Sequence, residues 1–143
     1  MLGSDDPIVL LQHGGLDNLS GKTGLAMLRY RHGPIVAVVD PDHRGADLRA
    51  LTGIERAVPV VGSLAEALPF APQVAVVGLA PSGGRLPPAM GADVAAALTA
   101  GLSLASGLHS RLADDPALAA LVRPGRWIWD LRREPPGLSV GCG

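Results

Sequence analysis

Cysteine, aromatic residues and net charge are all scarce in this sequence of 143 residues, and each scarcity excludes a class of protein. The one cysteine, Cys142, permits neither a disulfide framework nor a cysteine-based zinc site, and it favours a reducing compartment. With 3% aromatic residues and a formal net charge of −1, the chain lacks the stacking platforms and the basic surface of a nucleic-acid-binding protein. No apolar run approaches the roughly 18 residues of a membrane span, and residues 1–6 lack the basic and apolar regions of a signal peptide. We therefore expect a soluble cytoplasmic protein that binds neither nucleic acid nor membranes.

The sequence does contain enough apolar residues for one hydrophobic core. Hydrophobic residues make up 48% of the chain and charged residues 17%, which is typical of a single globular domain. Short runs rich in Val and Ile alternate with helical patterns, as in βαβ units. We predict a Rossmann-like α/β fold, a three-layer sandwich in which helices cover both faces of a mostly parallel sheet of about six strands. The predicted strands are Ile8–Gln12, Ile35–Asp40, Val58–Val61, Val74–Leu79, Ser103–Ser106 and Trp127–Leu131.

Helix start and stop signals lie between the predicted strands. Asp47 is typical of an N-cap and Gly53 of a helix end. Ser63 and Glu66 match a capping box, in which each side chain accepts a hydrogen bond from the other residue's backbone N–H. The predicted helical segments are Ser20–Tyr30, Asp47–Leu51, a turn from Ser63 to Glu66, Pro87–Gly101 and a last helix opened by Asp115 and Pro116. Right-handed crossovers should connect the parallel strands.

The last ten residues differ in composition from the rest. Residues 134–143 include two prolines and three glycines and show no apolar period, which indicates a linker or an arm that packs elsewhere. Residues 1–133 are therefore the predicted Rossmann-like domain. A linker at this position also predicts a neighbouring domain.

A glycine-rich stretch follows the first predicted strand and resembles a phosphate-binding loop. A P-loop reads G-x-x-x-x-G-K-[ST], but the position of its first glycine is taken here by Leu16. Lys22 is the only lysine among 12 basic residues, which is mild support for a specific role. We predict that Gly14, Gly15, Lys22 and Thr23 bind an anion at a helix N-terminus, without catalytic P-loop chemistry. A plain glycine turn with a solvated lysine is the structural alternative.

Asp40 ends the second predicted strand, at the edge where open parallel sheets bind ligands. An acid at this position fits a magnesium ligand, and it also fits the residue that holds the ribose hydroxyls in dinucleotide-binding proteins. The second match is loose, because Asp40 lies 25 residues after Gly15 and no G-x-G-x-x-G is present. An NAD-binding oxidoreductase domain is therefore a further alternative.

The stretch after the fourth predicted strand is the least generic in the sequence. Ser82, Gly83, Gly84 and Arg85 combine close backbone approach with a guanidinium suited to carboxylate or phosphate. A rigid turn fixed by the neighbouring prolines explains the glycines without a ligand. We predict that these four residues bind the ligand.

Ser106, which ends the fifth predicted strand, and His109, which follows it, complete the predicted set. His109 is the candidate catalytic residue, since its imidazole titrates near neutral pH and can serve as a general base or hydrogen-bond a ligand. A helix-capping or partly buried histidine is the alternative. The four histidines show no metal-binding spacing, so we predict no metal site.

These stretches together resemble a known family. The residues that carry the resemblance are Ser20–Thr23 (SGKT), Leu28–Tyr30 (LRY), Val38–Asp40 (VVD), Gly78–Pro87 (GLAPSGGRLP), Ser106–His109 (SGLH) and Trp129–Arg132 (WDLR). They are similar to the N-terminal half of a bacterial family called domain of unknown function 1611, some members of which are described as D-glutamate N-acetyltransferases. The resemblance implies a Rossmann-like domain followed by a C-terminal P-loop domain, which this sequence lacks. It also implies acetyl-CoA or a nucleotide as a cofactor of the full-length protein.

The expected function combines the resemblance with the strand-end residues. We expect a ligand-binding domain for a small anion, such as an acidic amino acid or the phosphate of a nucleotide or of coenzyme A. Lys22 and the glycine turn would hold one acidic group, Arg85 would clamp a second, and His109 and Asp40 would orient the ligand. Alone, the domain is not expected to be catalytically competent, because the missing P-loop domain is its expected partner. The alternative from another class is a structural module that forms homo-oligomers and positions a catalytic neighbour.

Overall fold

The computed structural model describes residues 6–12, 22–31, 33–54, 56, 58–78, 88–106 and 116–130, and for residues 22–24, 88, 89, 129 and 130 it describes the backbone alone. Its strands are β1 (Ile8–Leu11), β2 (Ile35–Val39), β3 (Val60–Val61), β4 (Val74–Val77), β5 (Ser103–Ser106) and β6 (Ile128–Asp130). Its helices are α1 (Lys22–Tyr30), α2 (Leu48–Thr52), α3 (Leu64–Ala67), α4 (Pro88–Thr99) and α5 (Pro116–Ala119), with 3-10 turns at Pro41–His43 and Leu68–Phe70. No helix within these ranges is both long enough and apolar enough to cross a membrane.

The six strands form one sheet in the order β3-β2-β1-β4-β5-β6. All five neighbouring pairs are parallel. The order reverses between β1 and β4, as it does in doubly wound α/β folds. The predicted Rossmann-like sandwich with about six strands is confirmed.

Several strands are shorter than the sequence predicts. β1, β2 and β4 end before Gln12, Asp40 and Gly78, although the backbone N–H of each of these residues still donates to a neighbouring strand. β3 begins at Val60 instead of Val58, because Pro59 has no N–H to donate to a neighbouring strand. The polar residues expected at the ends of β1 and β2 therefore lie just beyond the strands.

Both faces of the sheet are covered by helices. Alternate residues of β1 point to opposite faces: Val9 and Leu11 pack on one side and Ile8 and Leu10 on the other. The first face packs against α3, α4 and α5 through Leu64, Ala67, Met90, Val94, Leu98 and Leu118. The second face packs against α1, α2 and the segment after α2 through Leu28, Leu48, Ile54 and Val58. Burial on both faces explains the continuous apolar runs of the central strands.

The predicted ends of α2 are confirmed. The carboxylate of Asp47 accepts a hydrogen bond of 3.1 Å from the backbone N–H of Arg49, and Gly53 follows the helix with a φ of 76°. Asp47 therefore satisfies an N–H group that has no partner inside the helix.

The C-terminus of α4 is set by Gly101, which has a φ of 92°. Its N–H donates to Leu98 O at 3.0 Å, and the N–H of Leu102 donates to Ala97 O at 3.0 Å. This pair of bonds is a Schellman motif. The helix therefore ends at Thr99, two residues before the predicted end at Gly101.

The predicted capping box of α3 is wrong. The side chain of Ser63 makes no capping hydrogen bond, and the N–H of Leu64 instead donates to Asp93 Oδ1 of α4 at 3.1 Å. Glu66 turns toward Arg44, whose Nε donates to Glu66 Oε1 at 2.7 Å. A charge-assisted hydrogen bond is stronger than one between neutral groups, which explains why the distant partner replaces the local one.

Candidate functional site

The candidate site is the carboxyl edge of the sheet, where the strands end and the chain turns toward the next helix. In open α/β sheets a crevice forms at this edge where neighbouring connections run to opposite faces. Here that point lies between β1 and β4, which pair in register from Ile8 with Val74 to Leu11 with Val77. A ligand in such a crevice would contact the residues that follow these two strands and their neighbours.

Buried polar side chains concentrate at this edge. Among the described residues, the buried polar or charged side chains are those of Gln12, Asp40, Ser103 and Ser106. Three of the four stand at the carboxyl edge, and all three are 0% exposed. Ser103 lies at the other edge, where its Oγ accepts a hydrogen bond of 3.2 Å from the backbone N–H of Trp127. Burial of polar groups costs free energy unless they are hydrogen-bonded, and each of these four residues has at least one hydrogen bond or other polar contact.

Asp40 is held within its own turn. It is the N-cap of the 3-10 turn at Pro41–His43, and its Oδ1 accepts a hydrogen bond of 3.1 Å from the backbone N–H of Asp42. Its Oδ2 lies 2.7 Å from His43 Nδ1. The residue predicted to orient a ligand thus has both carboxylate oxygens engaged in local contacts, and its predicted role in binding stays a prediction.

Arg44 and Glu66 link the loop after β2 to α3, beside the end of β3. Arg44 Nε lies 2.7 Å and 3.2 Å from the two carboxylate oxygens of Glu66, and the backbone N–H of Gly62 donates to Glu66 Oε1 at 3.3 Å. The hydrogen bond from Arg44, followed by that from Gly62, lowers the pKa of Glu66 below its ordinary value of 4.5. A Cβ on Gly62 would lie 2.9 Å from Arg44 Cδ, so a larger residue at this position would require the Arg44 side chain to shift.

Gln12 is a candidate that the sequence analysis missed. It follows four fully buried apolar residues of β1, and its backbone N–H donates to Val39 O at 2.9 Å. Gln12 was predicted to lie inside the strand. The available signal was an amide side chain directly after a run of apolar residues and two residues before Gly14 and Gly15.

The other predicted site residues are only partly described. Ser106 is the last residue of β5 and is fully buried. Lys22 and Thr23 begin α1, which follows β1, and their side chains are not described. The remaining predicted residues lie outside the described ranges, and their roles stay predictions: Gly14, Gly15, Ser82, Gly83, Gly84, Arg85 and His109. Within the described ranges, no three His, Cys, Asp or Glu side chains are placed to hold a metal ion.

Solved structures support the fold and the family. A crystal structure of a DUF1611 family protein from Anabaena variabilis ATCC 29413 matches with a TM-score of 0.90 and 48% sequence identity, over 94% of this chain and 39% of that one. An amine dehydrogenase from Mycobacterium smegmatis matches with a TM-score of 0.54 and 20% identity, over 82% of this chain and 35% of that one, and this likeness concerns the fold alone. Comparison with curated proteins gives no match. The chain spans well under half the length of each of these two solved proteins.

The family comparison agrees with the closer of these two structures. Residues 41–134 match the model of the Rossmann-like domain of unknown function named DUF1611_N. The match covers most of the chain from the loop after β2 to just beyond β6. The resemblance noted in the sequence is confirmed, and the chain belongs to the DUF1611 family, whose Rossmann-like domain it contains.

Proposed function

We propose that this chain is a ligand-binding domain that holds a small anionic molecule at the carboxyl edge of its sheet. The ligand is an acidic amino acid or a molecule that carries the phosphate of a nucleotide or of coenzyme A. The observation that carries the proposal is the placement of Gln12 and Ser106 at this edge, each fully buried. Apolar residues would suffice at such positions if packing were their only role.

The proposed site combines neutral groups that form hydrogen bonds with groups that carry positive charge. The amide of Gln12 and the hydroxyl of Ser106 can each donate and accept hydrogen bonds. The N-terminus of α1 carries a partial positive charge, and Lys22 at its start adds a full one. Arg85 would supply a guanidinium from the segment after β4. Together these groups favour a ligand with one or two acidic groups.

The enzymatic setting belongs to the proposal as well. Some family members are described as D-glutamate N-acetyltransferases, so D-glutamate and acetyl-CoA are the first ligands to test. The chain covers 39% of the Anabaena protein, and we assign the acetyl-transfer step to a protein of that greater length. His109 is the residue proposed to exchange a proton with the ligand there.

Isothermal titration calorimetry tests the proposal directly. The chain is titrated with D-glutamate, acetyl-CoA, ATP and NAD, and the same titrations are repeated with a Lys22→Ala, Arg85→Ala variant. The control is an Arg29→Ala, Arg126→Ala variant, which loses the same charge. Arg29 lies in the last turn of α1 and Arg126 precedes β6, so both lie toward the opposite edge, and both are exposed.

Binding of at least one ligand by the chain and by the control, with loss in the Lys22→Ala, Arg85→Ala variant, supports the proposal. Equal weakening in both variants would mean that only net charge matters, which contradicts it. Heat from none of the four ligands would favour the non-catalytic dimerisation module, and sedimentation velocity would then measure self-association. Heat from NAD alone would favour the oxidoreductase alternative.

A further inference from the structure

The loop after β2 carries both an acid, Asp40, and an arginine, Arg44, the two residue types with which dinucleotide-binding domains contact the ribose and its phosphate. In those domains an acid near the end of β2 accepts hydrogen bonds from the ribose hydroxyls, and a nearby arginine accommodates a ribose phosphate where one is present. Asp40 occupies the acidic position here. Its side chain is 0% exposed, and its oxygens bind the N–H of Asp42 and the ring of His43. Both carboxylate oxygens of Asp40 thus make contacts within its own loop.

Arg44 extends from the same loop and is 67% exposed. Its hydrogen bonds with the described residues all leave from Nε and reach the two oxygens of Glu66. The terminal Nη groups therefore keep their donors while the side chain is fixed at its Nε and packs over Gly62. A guanidinium held in this way loses little conformational freedom when it binds a phosphate through two parallel hydrogen bonds.

We propose that Arg44 forms a phosphate subsite at the carboxyl end of β2, which selects nucleotide ligands that carry a phosphate on the adenosine ribose. Coenzyme A carries this group as a 3′-phosphate and NADP as a 2′-phosphate. The inference rests on the proposed function, because it names a ligand class for the same edge of the sheet. It also reassigns the expected role of Asp40, from a ligand contact to a residue that shapes the loop carrying Arg44.

Two acidic residues near Arg44, Glu66 and Asp42, affect how a phosphate would bind. Glu66 is paired with Arg44, whereas Asp42 is exposed and adds a negative charge to the same loop. A bound phosphate would be repelled by Asp42. The Asp42→Asn variant should therefore bind the phosphorylated ligands more tightly than the unmodified chain does, with little change for their unphosphorylated counterparts.

Paired ligands that differ only in this phosphate provide the test. Calorimetry compares coenzyme A with dephospho-coenzyme A, and NADP with NAD. We expect the phosphorylated member of at least one pair to bind about tenfold more tightly, in line with one charge-assisted contact. The Arg44→Gln variant should lose about that factor for the phosphorylated member and keep its affinity for the other. Arg29→Gln is the matched control, and thermal unfolding of each variant shows whether it remains folded.

The outcomes separate this inference from the proposed function. Equal affinities within both pairs would overturn the inference, and so would an equal loss for both members in Arg44→Gln. If dephospho-coenzyme A, ATP or D-glutamate still binds in that case, the proposed function stands without the phosphate subsite. If none of these ligands binds, both proposals fail.

Discussion

The two edges of the sheet use their polar residues differently. At the amino edge, arginines donate to backbone carbonyl oxygens: Arg56 to Leu28, Arg31 and Gly33, and Arg123 to Thr99. These carbonyls lie at or just after helix C-termini, where they lack partners inside the helix. At the carboxyl edge, the buried polar groups are side chains at or just after strand ends, and Arg44 binds a carboxylate instead of the backbone.

Under the proposed function, the amino edge stabilises the fold and the carboxyl edge binds the ligand. Arginines at the amino edge complete the hydrogen bonding of the main chain, so their removal should cost stability. At the carboxyl edge, the buried polar groups are side chains instead of main-chain carbonyls: Gln12, Asp40 and Ser106. Changes there should affect binding more than stability.

The largest effect should follow the loss of Arg56 at the amino edge. The Arg56→Ala variant leaves three partly buried carbonyl groups without this donor, and we expect the free energy of unfolding to fall by about 2 kcal/mol. Urea denaturation measures the change. Arg44→Ala should cost much less, because exposed ion pairs contribute little. A larger loss in Arg44→Ala than in Arg56→Ala would break the comparison between the edges.

A matched pair of buried polar residues comes next. Ser103→Ala at the amino edge removes the acceptor of the Trp127 N–H and should cost about 1 kcal/mol of stability, with ligand binding unchanged. Gln12→Leu at the carboxyl edge should change stability less and weaken binding about tenfold, because an apolar residue of similar size can fill the site. Urea denaturation and calorimetry on both variants give the two numbers. Strong destabilisation by Gln12→Leu with unchanged binding would assign Gln12 to the core.

The cap of α3 offers a comparable test on the first face of the sheet. Asp93→Ala should cost about 1 kcal/mol, because Leu64 loses the acceptor for its N–H. Ser63→Ala should cost little, because that side chain makes no capping bond. Thermal unfolding of the two variants measures both effects. A larger loss of stability in Ser63→Ala than in Asp93→Ala would support the local capping box instead.

The smallest effect concerns pH. The pKa of Glu66 is lowered in the folded protein by Arg44, so the unfolded chain binds more protons in the window just below the ordinary value of 4.5. The stabilisation is fully present above that value and is lost as the pH falls through the folded pKa. Stability curves of the chain and of Glu66→Gln between about pH 6 and pH 3 should therefore converge toward acid. If the two stability curves stayed parallel, the ion pair of Arg44 and Glu66 would contribute no pH-dependent stability.

Much of the fold could be predicted from the sequence because its signals are local. The Val- and Ile-rich runs of β2 and β4 and the Asp47 and Gly53 ends of α2 follow from periodicity and backbone chemistry. The cap of α3 could not be predicted in this way. Asp93 accepts from the N–H of Leu64, and Arg44 binds the carboxylate of Glu66. Both partners are distant from α3 in the sequence and come close to it only in the folded chain.

The candidate site was less accessible from the sequence. Strand-end rules identified Asp40 and Ser106, whose positions at the carboxyl edge depend only on the order of strands and helices. They did not identify Gln12, because an amide after an apolar run also fits the last residue of a strand, and Gln12 was assigned to the strand itself. The hydrogen bonds of Asp40 within its own turn could not be seen either, since they depend on the path of the chain after β2.

The most direct test of the central claim maps where a ligand binds. In two-dimensional NMR spectra of the ¹⁵N-labelled chain titrated with acetyl-CoA and, separately, with D-glutamate, the backbone amides of Gln12, Asp40, Gly78 and Ser106 should shift. Those of Gly33, Ser103 and Arg126 at the opposite edge should stay in place. Shifts confined to the amino edge, or none with either ligand, would contradict the account.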